Sequence, residues 1–513
     1  MTMLAMNRIG ALARAVILAA AMVATAATAP ALAGKADDTL TIAWSTVVPS
    51  YDNYYSPQRE SMILGRLIWD MLVERDPVTL QYKPLLAKSW KWLDNKTIDF
   101  ELRQGISFHN GDKFGADDVV FTLNYAANPK NETRPQIMVE WIDRVEKLGP
   151  FSVRLHMKYP FPPALEYLSA ALPIYPASYY EKVGPKGMSE KPVGTGPYRV
   201  QEAVQGQRIV LVRNDGYFKE SPKGQPRIGK IVQKTIRDEQ TQLAELLTGG
   251  VDWIWRVSPE NGKRIGNLSK FEVKNGETMR IGWIAFDATG RSGKSPVSDV
   301  RVRRAIAHAL DTKGYAKHLV PGSRALASPC FPEQFGCTQE VPRYNHDPAK
   351  AKTLLAQAGF PSGFKIDLYG YRDRRLTEAV IGDLRKVGID ANLTYLQYDA
   401  LYKKMVDGQT PMVHQTTGSY SINDWAVTAD IFFNGSPQDY TRDPEISKWV
   451  KEAGSIVDPK RRKALYAQAL KKIADQAYFV MLTTEVTTYA YRKELEFTPY
   501  ADETARFYLS RWK

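Results

Sequence analysis

Two glycine-rich stretches have residue types that could grip phosphate. The first opens VGTGPYRVQEAVQGQRIVLVRNDGYF at residues 193–218, and the second is ATGRSGKS at 288–295. A dinucleotide loop needs a third glycine three residues after the second, with a helix directly behind it. In the first stretch that position is Arg199, and Pro197 removes a backbone N–H where a phosphate cradle needs donors. Tyr198, Val200 and the run Ile209-Val210-Leu211-Val212 instead alternate as strands around a turn at Gly206. The second stretch fits a relaxed Walker pattern. However, Pro296 falls in what should be the first helical turn, and Ser298 starts the helix too late to lend its dipole to the loop. Hydrolytic chemistry finds no better support. None of the six histidines begins H-E-x-x-H, no G-x-S-x-G occurs, and the S-x-x-K at Ser510–Lys513 lies at the extreme C-terminus. No cofactor is expected, and the scattered histidines offer no direct metal site.

The elements that would position any site belong to a chain of 513 residues, long enough for two or three domains. Residues 1–33 read as a cleavable secretory signal: Arg8 and Arg14, the alanine-rich run at 15–29, then Ala31-Leu32-Ala33. No cysteine follows that point directly, so no lipid anchor is expected and the mature chain should be exported to the periplasm. In that compartment Cys330 and Cys337, the only cysteines, read as a local disulfide. A bridge over so short a loop should contribute roughly 2–3 kcal/mol and pin a surface loop. The net charge is +13, but it is dispersed. Its densest clusters are RDRR (372–375) and KRRK (460–463), the latter read as a solvated helix face. Without a basic stripe and stacking aromatics, no nucleic-acid partner is expected.

Strand-like and helical segments alternate from Thr39 onward, the pattern of an α/β protein. Residues 60–72 place Ile63, Leu67, Ile68 and Leu72 on one helical face. Ser298, Asp347 and Asp458 are candidate helix caps, the last two followed by proline at the first helical position. Leu465, Tyr466, Ala469, Leu470 and Ile473 should face inward on the last helix. No linker breaks the chain, which suggests interleaved domains. Twenty-seven tyrosines and eleven tryptophans are a heavy aromatic load, and several lie in polar loop-like stretches, among them Tyr51, Trp283, Tyr371 and Tyr420. Loops after strands are where α/β proteins place ligands, and tyrosine and tryptophan supply rigid contact area there.

Four blocks, spread over most of the mature chain, together resemble one family. They are YKPLLAKSWKWLDNKTIDFELRQGISFHNGDKFGADDVVFTL (82–123), GTGPY through RNDGY (194–217), SDVRVRRAIAHALD with YNHDPAKAKTLLAQAGFPSGF (298–311, 344–364), and DPKRRKALYAQALKKIADQA (458–477). The family is the bacterial extracellular solute-binding proteins, family 5, the peptide and nickel class that serves ABC importers. The resemblance implies a bilobed α/β periplasmic-binding-protein fold closing on a hinge. Lobe 1 would comprise 34–57, 175–278 and 485–513, with an extra domain at 58–174, and lobe 2 would span 279–484. The GTGPY turn would lead into a strand pair of lobe 1.

The resemblance further implies a peptide or small-molecule ligand, delivery to inner-membrane ABC permease subunits, a monomer, and no enzymatic activity. The family's peptide binders grip ligand backbone as an added strand. They hold its ammonium with an aspartate in a loop of lobe 2. Here that region is TTGSYSINDWAVTADIFF (416–433), which departs from the family pattern and leaves Asp424 as the nearest acid. Arg372, with Arg374 next, would pair with the ligand carboxylate. The expected ligand contacts are therefore Tyr51, Trp283, Arg372, Tyr420 and Asp424. A nickel chelate, sugar or opine in the same fold is the nearest alternative, and an exported hydrolase is an alternative of another class.

Overall fold

The computed structural model describes residues 34–513, so the expected leader at 1–33 lies outside the described residues. One ten-stranded sheet runs through the molecule. Its order is Ile389–Tyr395, Phe364–Gly370, Met412–Thr417, Phe271–Phe286, Phe479–Arg492, Trp253–Trp255, Thr39–Trp44, Lys230–Thr235, Arg208–Arg213 and Tyr198–Val204. The two long strands at its centre join the lobes. They pair antiparallel from Phe271↔Arg492 to Ala285↔Phe479, and their register shifts between Glu277 and Ile281 and again before Trp283. Beyond one end Tyr489–Tyr491 pair with Trp253–Trp255 of lobe 1, and beyond the other Ile281–Phe286 pair with Met412–Thr417 of lobe 2. The chain is thus a bilobed α/β protein whose hinge is a two-stranded ribbon.

Period-two alternation decides which core each side chain enters. In lobe 2, Ile281, Trp283 and Ala285 pack into one buried cluster and Ile284 and Phe286 into the cluster on the opposite face. In lobe 1, Leu40, Ile42 and Trp44 join the largest cluster, while Ala43 turns to a smaller one with Ile254 and Ala490. A four-stranded antiparallel sheet, in the order Ala87–Trp92, Thr97–Leu102, Ser152–Met157, Ile142–Gly149, lies within 58–174. Its Ile98, Phe100 and Leu155 enter the same cluster as Leu40 and Trp253, so this sheet shares its core with lobe 1.

The GTGPY stretch is a packing device. A Cβ on Gly194 would lie 2.1 Å from the Ile68 carbonyl oxygen, and one on Gly196 would lie 2.5 Å from the Ile68 carbonyl carbon. The Gly196 N–H donates to Ile68 O at 2.9 Å and Thr195 Oγ1 donates to Asp70 at 3.0 Å. Only residues without a side chain let two backbones come this close. Tyr198–Val204 then pairs antiparallel with Arg208–Arg213 across a turn in which Gly206 takes φ 71°. At 288–295, Ser292 donates its N–H and hydroxyl to Asp287, a local turn followed by the 3-10 turn Pro296–Ser298, with the α-helix starting only at Val300.

The helices follow their caps with two differences. The helix expected over 60–72 is Arg59–Ile68, after which the chain turns out into the short strand Val73–Arg75. Asp299, not Ser298, caps Val300–Ala309, accepting from the Arg301 N–H, while Ser298 lies in the preceding 3-10 turn and donates to Ser295 O. A carboxylate is the stronger acceptor and sits one residue nearer the helix start. Asp347 and Asp458 cap Pro348–Gln357 and Pro459–Asp475. Cys330 and Cys337 are joined in a disulfide, with Cα atoms 5.5 Å apart. The bridge is not a surface clip, because Cys330 is fully buried in the lobe 2 core.

Candidate functional site

Between the lobes lies a cleft of ≈ 1120 Å³. Lobe 1 contributes Tyr54, Arg59 and Arg256, lobe 2 contributes Tyr371, Arg372 and Tyr420, and the hinge ribbon itself supplies Arg280 and Glu485. Arg280 sits inside the register shift between Glu277 and Ile281. A bulge breaks the in/out alternation there and re-aims one side chain, in this case a guanidinium into the hinge. Glu485, on the facing strand, pairs with Arg280 at 3.6 Å and with Arg372 at 3.3 Å. Arg59 faces Glu503 at 3.9 Å, and Arg256 pairs with the buried Glu60 at 3.0 Å while lying 4.2 Å over the Trp255 ring. Burial raises the Glu485 carboxyl against the pull of Arg280 and Arg372. For Glu503 burial also raises, but the guanidinium groups of Arg59, Arg280 and Arg256 prevail and hold the carboxyl below its usual range.

The rim on the lobe 2 side is aromatic. Tyr371 and Tyr398 stand 5.1 Å apart, and Tyr402 follows Tyr398 at 5.9 Å. Tyr420 is half-exposed on the cleft wall, in a loop where Ser419, Tyr420 and Ser421 all take left-handed φ of 43°, 51° and 60°. Three such residues in succession cost free energy and persist only where surroundings over-determine them. Here the Gln334 side chain donates to Ser419 Oγ, Arg75 donates to Ser421 O, and Ser421 Oγ donates to Asp502 O. The loop is thus tied to both lobes.

Of the five residues expected to touch ligand, the structure brings Arg372 and Tyr420 to the cleft. The other three it places in the packing. Tyr51 is buried with its hydroxyl donating to Val204 O and Arg208 O at 3.4 and 3.3 Å. Trp283 is fully buried, edge-on to Phe432 at 5.0 Å, with its indole N–H donating to Gln415. Asp424 is engaged inside lobe 2. Arg462 Nη2 lies 3.0 Å from its carboxylate, and its Oδ1 also accepts the Ala426 N–H. This corrects two expectations together. Asp424 is no free ammonium clamp, and Arg462 is no solvated surface charge. Within KRRK the helical period turns Arg462 inward onto Asp424, Tyr466 and the Phe335 ring. Arg374 points to Glu378 on the exposed face of its own helix.

Arg59, Arg256, Arg280, Glu485 and Glu503 went unrecognised from residue types alone. The signal was present for two of them: Arg280 interrupts the strand-like MRIGWIAF and Glu485 interrupts MLTTEVTTYAYR. A charge inside an apolar strand is costly unless it faces water or a partner.

His414 lines the cleft floor but is buried, its Nδ1 2.7 Å from Thr377 Oγ1. Burial lowers its pKa from 6.5 to about 4, so the imidazole is neutral at pH 7. The folded state therefore binds fewer protons than the unfolded chain between those values, and stability should fall as pH drops from 6.5 toward 4, by up to about 3 kcal/mol. Subtracting the urea stability of His414→Gln from that of wild type across pH 4–7 isolates the effect from the carboxylates. A difference that stays constant with pH would refute it.

Among the described residues no helix is long and apolar enough to cross a membrane, and no group of three or more His, Cys, Asp or Glu could hold a metal ion. Residues 81–439 match the model of "Bacterial extracellular solute-binding proteins, family 5 Middle". The chain is 26% identical over 479 residues to the dipeptide-binding protein of Escherichia coli (strain K12), covering 84% of this chain and 86% of that protein. It is 25% identical to the glutathione-binding protein GsiB of Salmonella paratyphi A, covering 91% and 92%. The fold matches HbpA2 from Haemophilus parasuis with a TM-score of 0.81 at 22% identity, covering 93% of this chain and all of that one. With a solute-sized cleft at a hinge between two lobes, and a family model spanning most of the chain, the protein belongs to the bacterial extracellular solute-binding proteins of family 5, the non-enzymatic substrate-capturing components of ABC import systems.

Proposed function

We propose that the protein captures short peptides in the periplasm, closes its lobes over them and delivers them to the inner-membrane permease. The observation that carries this reading is the cleft itself. At ≈ 1120 Å³ it exceeds the roughly 300–1,000 Å³ typical of a site for one small molecule. It also presents charges of both signs, Arg372 and Arg280 against Glu485 and Glu503, as a ligand with a carboxylate and an ammonium requires. The similarity to dipeptide- and glutathione-binding proteins supports the same class. Arg372 is the carboxylate partner in this reading, and releasing it from Glu485 leaves that carboxylate to the ligand ammonium. Tyr420 and Tyr371 cover the peptide body.

Native mass spectrometry of freshly purified protein, followed by calorimetry with a pool of di- to pentapeptides, tests it. Saturable peptide binding is expected, with a drop in radius of gyration by small-angle scattering as the hinge closes. Binding of a nickel chelate, sugar or opine with no peptide bound would replace the peptide reading with that ligand class.

A further inference from the structure

The cleft carries more positive charge than its own carboxylates neutralise. Its lining includes five guanidinium groups, Arg59, Arg134, Arg256, Arg280 and Arg372, against three carboxylates, Asp373, Glu485 and Glu503. Four of the five guanidinium groups, Arg59, Arg256, Arg280 and Arg372, stand near a carboxylate. The carboxylates within 4.0 Å of them are three: Glu60, Glu485 and Glu503. One of the three is shared, since Glu485 serves both Arg280 and Arg372. Two of the four guanidinium groups are also poorly hydrogen-bonded. The Arg280 side chain, 25% exposed, donates no hydrogen bond to another described residue and only approaches Glu485. Among the described residues the Arg59 side chain, 11% exposed, donates only to Met62 Sδ at 3.5 Å, a weak acceptor, and stands 3.9 Å from Glu503.

A guanidinium has five N–H donors, and one enclosed without acceptors is unfavourable. Arg256, by contrast, donates to Glu60 and stacks on Trp255. Arg59 and Arg280 both line the cleft and both act on Glu503, so they converge on one region of its lobe 1 and hinge wall. Burial, with Arg280 and Arg256 near it, pushes the Arg59 guanidinium below its usual range despite Glu503 and Asp502. The potential there is positive, and lobe closure would strengthen it by excluding water.

We propose that Arg59 and Arg280 form an anion-recognition pair, distinct from Arg372, that selects peptides carrying a carboxylate beyond the C-terminal one. This rests on the peptide reading above and narrows it to acidic peptides. The second carboxylate supplies the acceptors that Arg59 and Arg280 lack and balances the excess charge of the closed cleft. Charge-assisted bonds to an enclosed guanidinium are strong, and a neutral isostere leaves the donors unmet.

The test is calorimetry with the tripeptides Ala-Glu-Ala and Ala-Gln-Ala on wild type, Arg59→Gln and Arg280→Gln, with the fold of each variant checked by circular dichroism. Wild type should prefer the glutamate peptide by about tenfold or more. Arg280→Gln and Arg59→Gln should each shrink that preference to within about threefold, chiefly by weakening the glutamate peptide. Equal binding of the two peptides by wild type, or a preference unaltered in both variants, would overturn the pair while leaving peptide capture intact. If neither peptide binds, the peptide reading fails and citrate and succinate become the probes. Saturable binding of either that is weakened in Arg280→Gln upholds the anion pair, and its absence overturns it.

Discussion

Arg462→Ala should destabilise the protein by about 3–5 kcal/mol, because it strips a buried carboxylate of its counter-ion. The Arg462 and Asp424 side chains are 5% and 6% exposed. The guanidinium does more than pair. It donates to Ala453 O at 3.2 Å and to the Tyr466 hydroxyl, and lies 4.7 Å over the Phe335 ring in the loop closed by the disulfide. Arg461→Ala, one residue away but 61% exposed, should cost under about 0.5 kcal/mol. Urea unfolding of the two variants makes the comparison, and a loss below about 1 kcal/mol for Arg462→Ala would refute the assignment. Part of the deficit should return as pH falls. Burial already raises the Asp424 carboxyl, and without the guanidinium it takes up a proton that the unfolded chain holds less tightly. The double variant Arg462→Met, Asp424→Asn should lose less than the sum of the single changes, since no uncompensated charge remains.

Arg75→Ala should cost a comparable ~3–5 kcal/mol, for a wider reason. Arg75 is fully buried and pairs with Glu166, with Asp502 at 2.9 Å, and with the Ser421 carbonyl at 3.1 Å. Glu166 also accepts the Asn423 N–H, and Asp502 is held by Arg506 at 2.7 Å. One guanidinium thus ties three parts of the chain: the 58–174 region, the C-terminal segment and the lobe 2 loop that carries Tyr420. Removing it leaves Glu166 buried beside neutral partners. It also frees one anchor of the left-handed turn at 419–421, so Tyr420 should lose order along with global stability. Lysine offers a single charged point where a fork is needed, so Arg75→Lys should rescue only part of the loss. Denaturant midpoints measure the stability, and a fluorescence label at position 420 reports the loop. Lys83→Ala, at an exposed pair with Asp76, is the control and should leave both unchanged. A full-strength Arg75→Ala variant with an ordered loop would overturn this account.

Local patterns carried a large part of the molecule in the sequence alone. The alternation at 198–212 and the proline at 197 were enough to read GTGPY as the start of a strand pair, and Asp347-Pro348 and Asp458-Pro459 marked two helix starts to the residue. These are decided over a few neighbours, by dihedral preference and capping geometry, so the sequence suffices. The cleft is different, because its charges come from places far apart in the chain. Arg59 meets Glu503, and Arg280 meets Glu485, only after the two long strands pair with a shifted register. Whether an arginine is solvated or buried also cannot be read from its own neighbourhood. Arg461 and Arg462 are adjacent and alike in sequence, yet one turns to water and the other into the core, because a helix rotates successive side chains by about 100° and only packing says which side is inside. The same holds for Asp424: its residue type offered a ligand clamp, and a helix packed 38 residues further along supplied the counter-ion that makes it structural.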